Sequence, residues 1–249
     1  MLFFRILIES ISFSWHAIIS NKLRTFLSLL GVTIGILAVI SVFTVVDSLE
    51  RNVRNSINKL GSDVLYIQKW PWGSSGDGEY KWWDYINRPE VNFSEMKKLS
   101  LYSKKSEYIA FFNNANRTMQ YYNNSIQGVS VIAVSYNWKH IRRFDLNYGR
   151  YFTNQDIVGS KNYVMLGHNI ASSLLDNPDN LGEVVKIGGE KVVVIGVFSK
   201  EGEDITGNSL DDAVVVPFSF GQRIMNVRRS NSSIIAKAKE GISNEELKY

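Results

Sequence analysis

Residue types that could do chemistry are present in this chain, but their spacing forms no familiar site. The histidines, His16, His140 and His168, lie far apart and lack the spacing of metal ligands. The sequence contains no cysteine, so it offers no thiolate ligand, no thiol nucleophile and no disulfide framework. It also lacks a G-x-x-x-x-G-K-[ST] phosphate loop and a G-x-S-x-G nucleophile turn. The sequence therefore points away from an enzyme and predicts no catalytic residue, cofactor or metal in this chain.

A group of carboxylates between residues 200 and 212 is the remaining candidate for cation chemistry. Its members are Glu201, Glu203, Asp204, Asp211 and Asp212. Their spacing is not that of an EF-hand loop, so the sequence favours a solvated turn over a calcium site. The net charge of +4 comes from scattered Lys and Arg residues and gives little support to a nucleic-acid partner.

The element that dominates the chain is an uncharged stretch over residues 25–46, bounded by Arg24 and Asp47. A helix of this length reaches about 33 Å, enough to cross the hydrocarbon core of a bilayer. A cleaved signal peptide is disfavoured because its apolar centre would be only about 7–15 residues long. We predict one transmembrane helix over residues 25–46.

Residues 1–24 read as an amphipathic helix that lies along the membrane surface. Its apolar positions recur at spacings of three and four and are Phe4, Leu7, Ile8, Ile11, Trp15, Ile18 and Ile19. Arg5, Lys22 and Arg24 are predicted to contact the lipid headgroups on the cytoplasmic side. A short helix of a soluble core is the alternative. Three Lys and Arg residues precede the span and three follow it, so charge alone does not orient it. We place the N-terminus in the cytoplasm because a long following domain can be exported regardless of its charge.

Two stripes on this helical region are predicted to pack against partner helices. Within the span, Gly31, Gly35 and Ala38 share a face on which another helix could approach closely. Beyond it, residues 47–61 keep an apolar stripe through a polar stretch and predict a helical stalk ending at Gly61. The stripe consists of Leu49, Val53, Ile57 and Leu60.

Residues 69–88 form an aromatic segment around a Gly/Ser tip. Trp70, Trp72, Trp82 and Trp83 are either a periplasmic contact loop or part of a loop folded back on its own domain. The sequence leaves these two interpretations equal.

The remainder, residues 62–249, predicts an α+β domain of short strands and capped helices. Predicted strands cover residues 63–68, 107–112, 163–166, 213–216 and 233–238, with hairpins over 117–134 around Asn123-Asn124 and over 184–198. Predicted helices or capped turns begin at Asn92 and Thr153 and cover 136–144, 169–175 and 217–225. Ser243-Asn-Glu-Glu246 opens a further helix close to the last residue, which we interpret as a sign that the sequence is the N-terminal part of a longer protein.

Three stretches together resemble the MacB-type (FtsX/LolC-related) permease subunits of ABC transporters. They are ISNKLRTFLSLLGVTIGILAVISV; LNYGRYFTNQDIVGSKNYVMLGHNIASSLL with NPDNLGEVVKIGGEKVVVIGVFSKEG; and DDAVVVPFSFGQRIM. The resemblance implies a periplasmic core domain with a porter-like split β-α-β part at 62–113 and 205–249. A β-rich insert at about 114–204 would interrupt it, and the domain would be incomplete at its C-terminus.

The resemblance also implies a role in the inner membrane. Such subunits form homo- or heterodimers, bind an ATPase on which the ATP is held, and pass its motion to their periplasmic domains. A periplasmic adaptor and an outer-membrane channel would be further partners. The alternative is a single-span membrane-anchored sensor or adaptor that binds a protein outside. A membrane-anchored hydrolase ranks third, since no residue can be assigned to it.

Overall fold

A computed structural model describes residues 2–60, 63–71, 81–175, 177, 179, 181–202, 209–225 and 230–248. Within these ranges, the side chains of residues 2, 3, 7, 11, 17, 18, 55–60 and 82 lie outside the description. The chain divides into two compact units, Met1–Arg54 and Asn55–Tyr249, and each is considered by itself.

The N-terminal unit is helical. Helix α1 spans Leu2–Ser20. Helix α2 runs from Lys22 to Leu60 for 39 residues, with no break between the apolar span and the following polar stretch, and its residues 55–60 belong to the second unit. Inside the span, the hydroxyls of Thr33 and Thr44 donate to the carbonyl oxygens of Leu29 and Ile40 at 2.7 and 2.8 Å. The helix therefore satisfies these two polar side chains internally, as an apolar environment requires.

The second unit is built on nine strands and six short helices among the residues that the structure describes. The strands are β1 Val64–Gln68, β2 Ser106–Tyr121, β3 Asn124–Val134, β4 Leu146–Gly149, β5 Tyr163–Leu166, β6 Val184–Ile187, β7 Glu190–Phe198, β8 Ala213–Pro217 and β9 Asn231–Ala238. The helices are α3 Phe93–Tyr102, α4 Trp138–Ile141, α5 Asn154–Val158, α6 His168–Leu174, α7 Phe218–Ile224 and α8 Asn244–Lys248. A 3-10 turn covers Trp82–Asp84.

One half of the sheet has a split β-α-β layout. Strands β1 and β2, separated in the chain by α3, both pair antiparallel with β9, which lies between them. They therefore run parallel to each other on either side of β9. Strand β8 pairs parallel with β3 and is followed by α7 and then β9, so a second crossover passes over β2 and β3. The assignment of residues 62–113 and 205–249 to a porter-like part stays a prediction.

The other half closes on itself. Strand pairing runs from β2 to β3, β8, β5, β7 and β6, and the Met119–Ile187 and Gln120–Lys186 pairs return it to β2. Strand β4 pairs with the C-terminal part of β7. The β-rich region is thus a small closed ring, and a ring leaves fewer strand edges exposed than an open sheet.

Two apolar cores lie on opposite faces of the central strands, because consecutive strand residues point to opposite sides. In β8, Val214 and Val216 belong to the core that extends into the ring, whereas Val215 faces the other core. Helix α7 lies close against the sheet, since a Cβ added to Gly221 would sit 2.2 Å from the Cβ of Ala133. Strands covered on both faces explain the continuous apolar run of β8.

The cap patterns predicted from sequence are confirmed. The side chains of Asn92 and Thr153 accept the backbone N–H groups of Glu95 and Asp156, whose carboxylates accept the N–H of each capping residue in return. Ser243 and Glu246 make the same reciprocal pair at 3.2 and 3.3 Å. Both predicted hairpins are also present, as β2–β3 and β6–β7.

Three sequence expectations differ from the structure. The predicted strand at 107–112 and the first arm of the hairpin at 117–134 are one 16-residue strand, β2, which passes through the proposed junction at residues 113 and 114. Strand β4 was not predicted, because its four residues carry only the LNYG pattern. The solvated turn expected at residues 200–212 is wrong for Asp211, which is 3% exposed. Glu203 and Asp204 lie outside the described residues.

Candidate functional site

The predicted packing stripe of the span presents an open face within this chain. A Cβ built on Gly31 or Gly35 meets no heavy atom within 4 Å, and Ala38 is exposed. The surrounding apolar side chains are exposed as well, and no residue in the most apolar part of the helix is buried. Among the described residues, one helical stretch is long and apolar enough to cross a membrane, namely Lys22–Arg54 of α2. That the stripe packs on another helix stays a prediction.

The stalk stripe is described in part. Leu49 and Val53 are exposed, whereas the side chains of Ile57 and Leu60 lie outside the described set. Arg54 donates to Glu50 at 2.7 Å on the same helix, an exposed i,i+4 pair that adds little stability. The N-terminal flank residues Arg5, Lys22 and Arg24 are all exposed, as a headgroup contact would need.

The tryptophan segment divides between the two interpretations. Trp70 is half-buried, and its carbonyl oxygen accepts from the amide of Gln68 at 2.7 Å, which ties this residue to the end of β1. Trp83 has 53% of its surface exposed. Trp72 and the side chain of Trp82 lie outside the described residues. The contact-loop interpretation stays a prediction for these residues.

The start of the domain is firmly tied to its sheet. Strand β1 begins at Val64, four residues after α2 ends at Leu60, and pairs with β9 over five consecutive residues. The carbonyl oxygen of Asp63 accepts the N–H of Ala238 at 2.9 Å. Lys239 donates its N–H to the carbonyl of Lys105 at 3.0 Å, so the ends of β9 and the α3–β2 connection lie together.

Two members of the acidic group, Asp211 and Glu201, organise the segment after β7 together with Arg142, which the sequence did not single out. The carboxylate of Asp211 accepts the backbone N–H groups of Glu201 and Gly202 at 2.8 and 2.9 Å. Glu201 accepts from Arg142 at 3.3 Å and from the N–H of Leu210 at 3.2 Å. Both charged side chains of this pair are largely buried. The pairing of Arg142 with Glu201 could not be predicted from local sequence spacing, because the two residues are 59 positions apart.

Two tyrosines of the second unit, Tyr66 and Tyr151, have raised pKa values. Burial raises the pKa of Tyr151, whose hydroxyl has no hydrogen-bond partner in the part of the chain that is described. Burial also raises the pKa of Tyr66, while the nearby Arg142 guanidinium lowers it in part. Neither tyrosine is poised to ionise near neutral pH. Among the described residues no three His, Asp or Glu side chains gather in a metal-binding arrangement.

The split β-α-β layer and the closed strand ring together form a mixed α/β domain. One long apolar helix precedes this domain in the chain. The family model for the MacB-like periplasmic core domain matches residues 25–248. The chain therefore belongs to the MacB-like periplasmic core domain family, and the resemblance drawn from its sequence is confirmed.

Relatives and solved structures agree with this assignment. The macrolide export ATP-binding/permease proteins MacB of Wolinella succinogenes and Shigella dysenteriae are 26% and 27% identical over 215 and 243 residues. These alignments cover 86% and 96% of this chain but 32% and 35% of the relatives, so the chain spans about a third of their length. The periplasmic region of MacB from Actinobacillus actinomycetemcomitans has a TM-score of 0.60 at 17% identity, covering 76% of this chain and 80% of that one. The extracellular domain of the noncanonic ABC-type transporter YknZ from Gram-positive bacteria has a TM-score of 0.52 at 17% identity, covering 61% and 74%.

Proposed function

We propose that this chain is the membrane-to-periplasm part of an ABC transporter permease subunit. It would pass ATP-driven motion of an ATPase, separate or fused, to its periplasmic domain. Family membership supports the transporter class, and the names of the MacB relatives join an ATP-binding function to a permease. In this proposal the chain has no catalytic step of its own, and ATP is held by the ATPase.

The observation that carries the proposal is the continuity of α2. One helix of 39 residues contains both the apolar span and the polar stretch beyond it, and β1 follows within four residues of its end. A continuous helix is stiff over this length, so a shift at its membrane end can reach a strand that is hydrogen-bonded into the sheet. We place the N-terminus in the cytoplasm and the domain in the periplasm of an inner membrane. Two permease subunits would form the working unit, with an adaptor and an outer-membrane channel as further partners.

The first test is assembly. The parent protein, extracted from membranes in mild detergent, is expected to purify with an ATPase or to contain one in its own chain. Nucleotide-binding activity absent from repeated preparations would contradict the transporter class and favour the alternative, a single-span sensor or adaptor.

The second test is mechanical and uses the absence of cysteine from this sequence. A spin label on Lys98→Cys, an exposed position of α3, reports the distance between the two copies in an assembled dimer. We expect ATP to change this distance, and Asn52→Pro to abolish the change because proline breaks the interior of α2. Asn52→Ala is the matched control and should respond as the unmodified helix does. A distance that ignores ATP, or a response that survives Asn52→Pro, would overturn the mechanical role.

A further inference from the structure

A cleft on the second unit has the composition of an anion site. It encloses about 600 Å³ between the α4–β4 connection and the segment after β7. Four cationic side chains line it, Lys139, Arg142, Arg143 and Lys200, against two carboxylates, Asp145 and Glu201. This volume lies in the range of small-molecule sites, which is about 300–1,000 Å³.

The cations of the cleft are not equally engaged. Arg142 and Glu201 face each other in the 3.3 Å ion pair, so their charges largely cancel. The ammonium of Lys139 donates to the Tyr136 hydroxyl at 2.7 Å and lies 4.2 Å from the centre of that ring, which leaves its charge without a carboxylate. Arg143 and Lys200 are exposed and form no ion pair with any residue that the structure describes. Lys139, Arg143 and Lys200 therefore face the cleft against Asp145.

Residues on two sides of the cleft are held in place by contacts within the domain. Asp211 fixes the backbone of Glu201 and Gly202, which holds one side of the cleft in place. On the other side, Phe144 packs its ring against Trp138, Phe198 and Tyr151 at centroid separations of 5.5, 5.3 and 5.4 Å. Phe144 also lines the cleft, so the apolar part of a ligand can contact this fixed ring without the cost of ordering it.

We propose that this cleft binds a small organic anion with at least two acidic oxygens and a planar apolar part. The acidic oxygens would contact Arg143 and Lys200 at the rim and Lys139 further in, while the apolar part would lie on Phe144. Charge-assisted hydrogen bonds to Lys and Arg supply the recognition. The proposal does not depend on the transporter role, since every residue in it belongs to the second unit.

Benzene-1,3,5-tricarboxylate is a suitable probe, titrated calorimetrically into the whole detergent-solubilised chain at low salt. We expect saturable binding that weakens as salt is raised, because exposed charges are screened. The double variant Arg143→Glu/Lys200→Glu should weaken it by about tenfold or more. The control Lys98→Glu/Lys104→Glu makes the same change in net charge at exposed positions outside the cleft and should bind like the original chain.

Two further ligands separate charge from shape. The neutral trimethyl ester of the probe should not bind, and inorganic phosphate, which lacks an apolar part, should bind more weakly than the tricarboxylate. Circular dichroism of both double variants checks that the fold is unchanged. No saturable binding of the tricarboxylate, equal loss in the two double variants, or phosphate binding as tightly as the tricarboxylate would each overturn the proposal.

Discussion

At the scale of single residues, Asp211 does more for the domain than its place in an acidic sequence suggests. Its carboxylate is buried and accepts the backbone N–H groups of two consecutive residues after β7. Asp212, the next residue, is exposed and accepts from the amide of Asn169 at 2.9 Å. Two adjacent aspartates therefore have different structural consequences.

We expect Asp211→Ala to lower the free energy of unfolding by about 1–3 kcal/mol, because it removes the acceptor of two part-buried backbone N–H groups. Asp212→Ala is the matched control and should change stability by less than about 0.5 kcal/mol. Urea unfolding of the solubilised chain, followed by intrinsic fluorescence, measures both. Equal losses in the two variants would contradict the structural role of Asp211.

Residue-level features were the hardest to predict from sequence. The turn between β2 and β3 was expected at Asn123-Asn124, since asparagine tolerates left-handed backbone. In the structure Tyr122 takes the positive φ of 45°, and Asn124 already belongs to β3. Pairing register, fixed by the faces buried along the whole strand, decides this position over local preference. The burial of Asp211 was missed for a similar reason, because its partners come from the other end of the loop.

At the scale of elements, helix α5 shows how a short cap depends on protonation. Burial raises the pKa of the Asp156 carboxyl, but hydrogen bonds from Arg150 and Thr153 outweigh burial and leave the pKa below its ordinary value. Arg150 donates to this carboxylate at 2.7 Å and the Thr153 N–H donates at 2.9 Å. A helix of five residues has little stability of its own, so its start depends on these contacts.

The sign of the pH effect follows from that lowered pKa. The ionised carboxylate stabilises the fold above its unfolded pKa of about 3.9, and the contribution is lost as pH falls through the lower folded value. We expect the chain to be more stable than Asp156→Asn at pH 6, and the difference to shrink as pH falls from about 5 to 2. Urea unfolding at several pH values tests this. A difference that stays constant over that range would exclude ionisation as its cause.

The starts of helices and the limits of strands were predicted more accurately than the pairing between distant strands. Capping boxes at Asn92, Thr153 and Ser243 are local patterns, and each marks a real helix start. Strand β5 was predicted with its observed limits, because four consecutive residues share one strand-forming pattern. Closure of the ring depends on the Met119–Ile187 pair, which joins residues 68 positions apart, and no local pattern encodes such a contact.

At the scale of the whole molecule, the exposed apolar span requires a partner other than water. We expect Gly35→Leu to reduce crosslinking between two permease subunits in membranes, because its bulk prevents close approach of a second helix at the open glycine face. Leu37→Ile, a volume-conserving change at another apolar position of the span, is the control and should leave crosslinking unchanged. Thermal unfolding should be similar for both variants. Undiminished crosslinking in Gly35→Leu would refute the packing stripe.

Strand β2 makes the split β-α-β layer and the strand ring inseparable. Its first part pairs with β9 and its last residues pair with β6, while β3 follows it on the other edge. Because β2 is one continuous strand, recombination could not replace one half of the domain without interrupting this strand. We therefore expect the two halves to be inherited together. A truncation that removes the ring would cut β2 and leave the split β-α-β layer without the end of that strand.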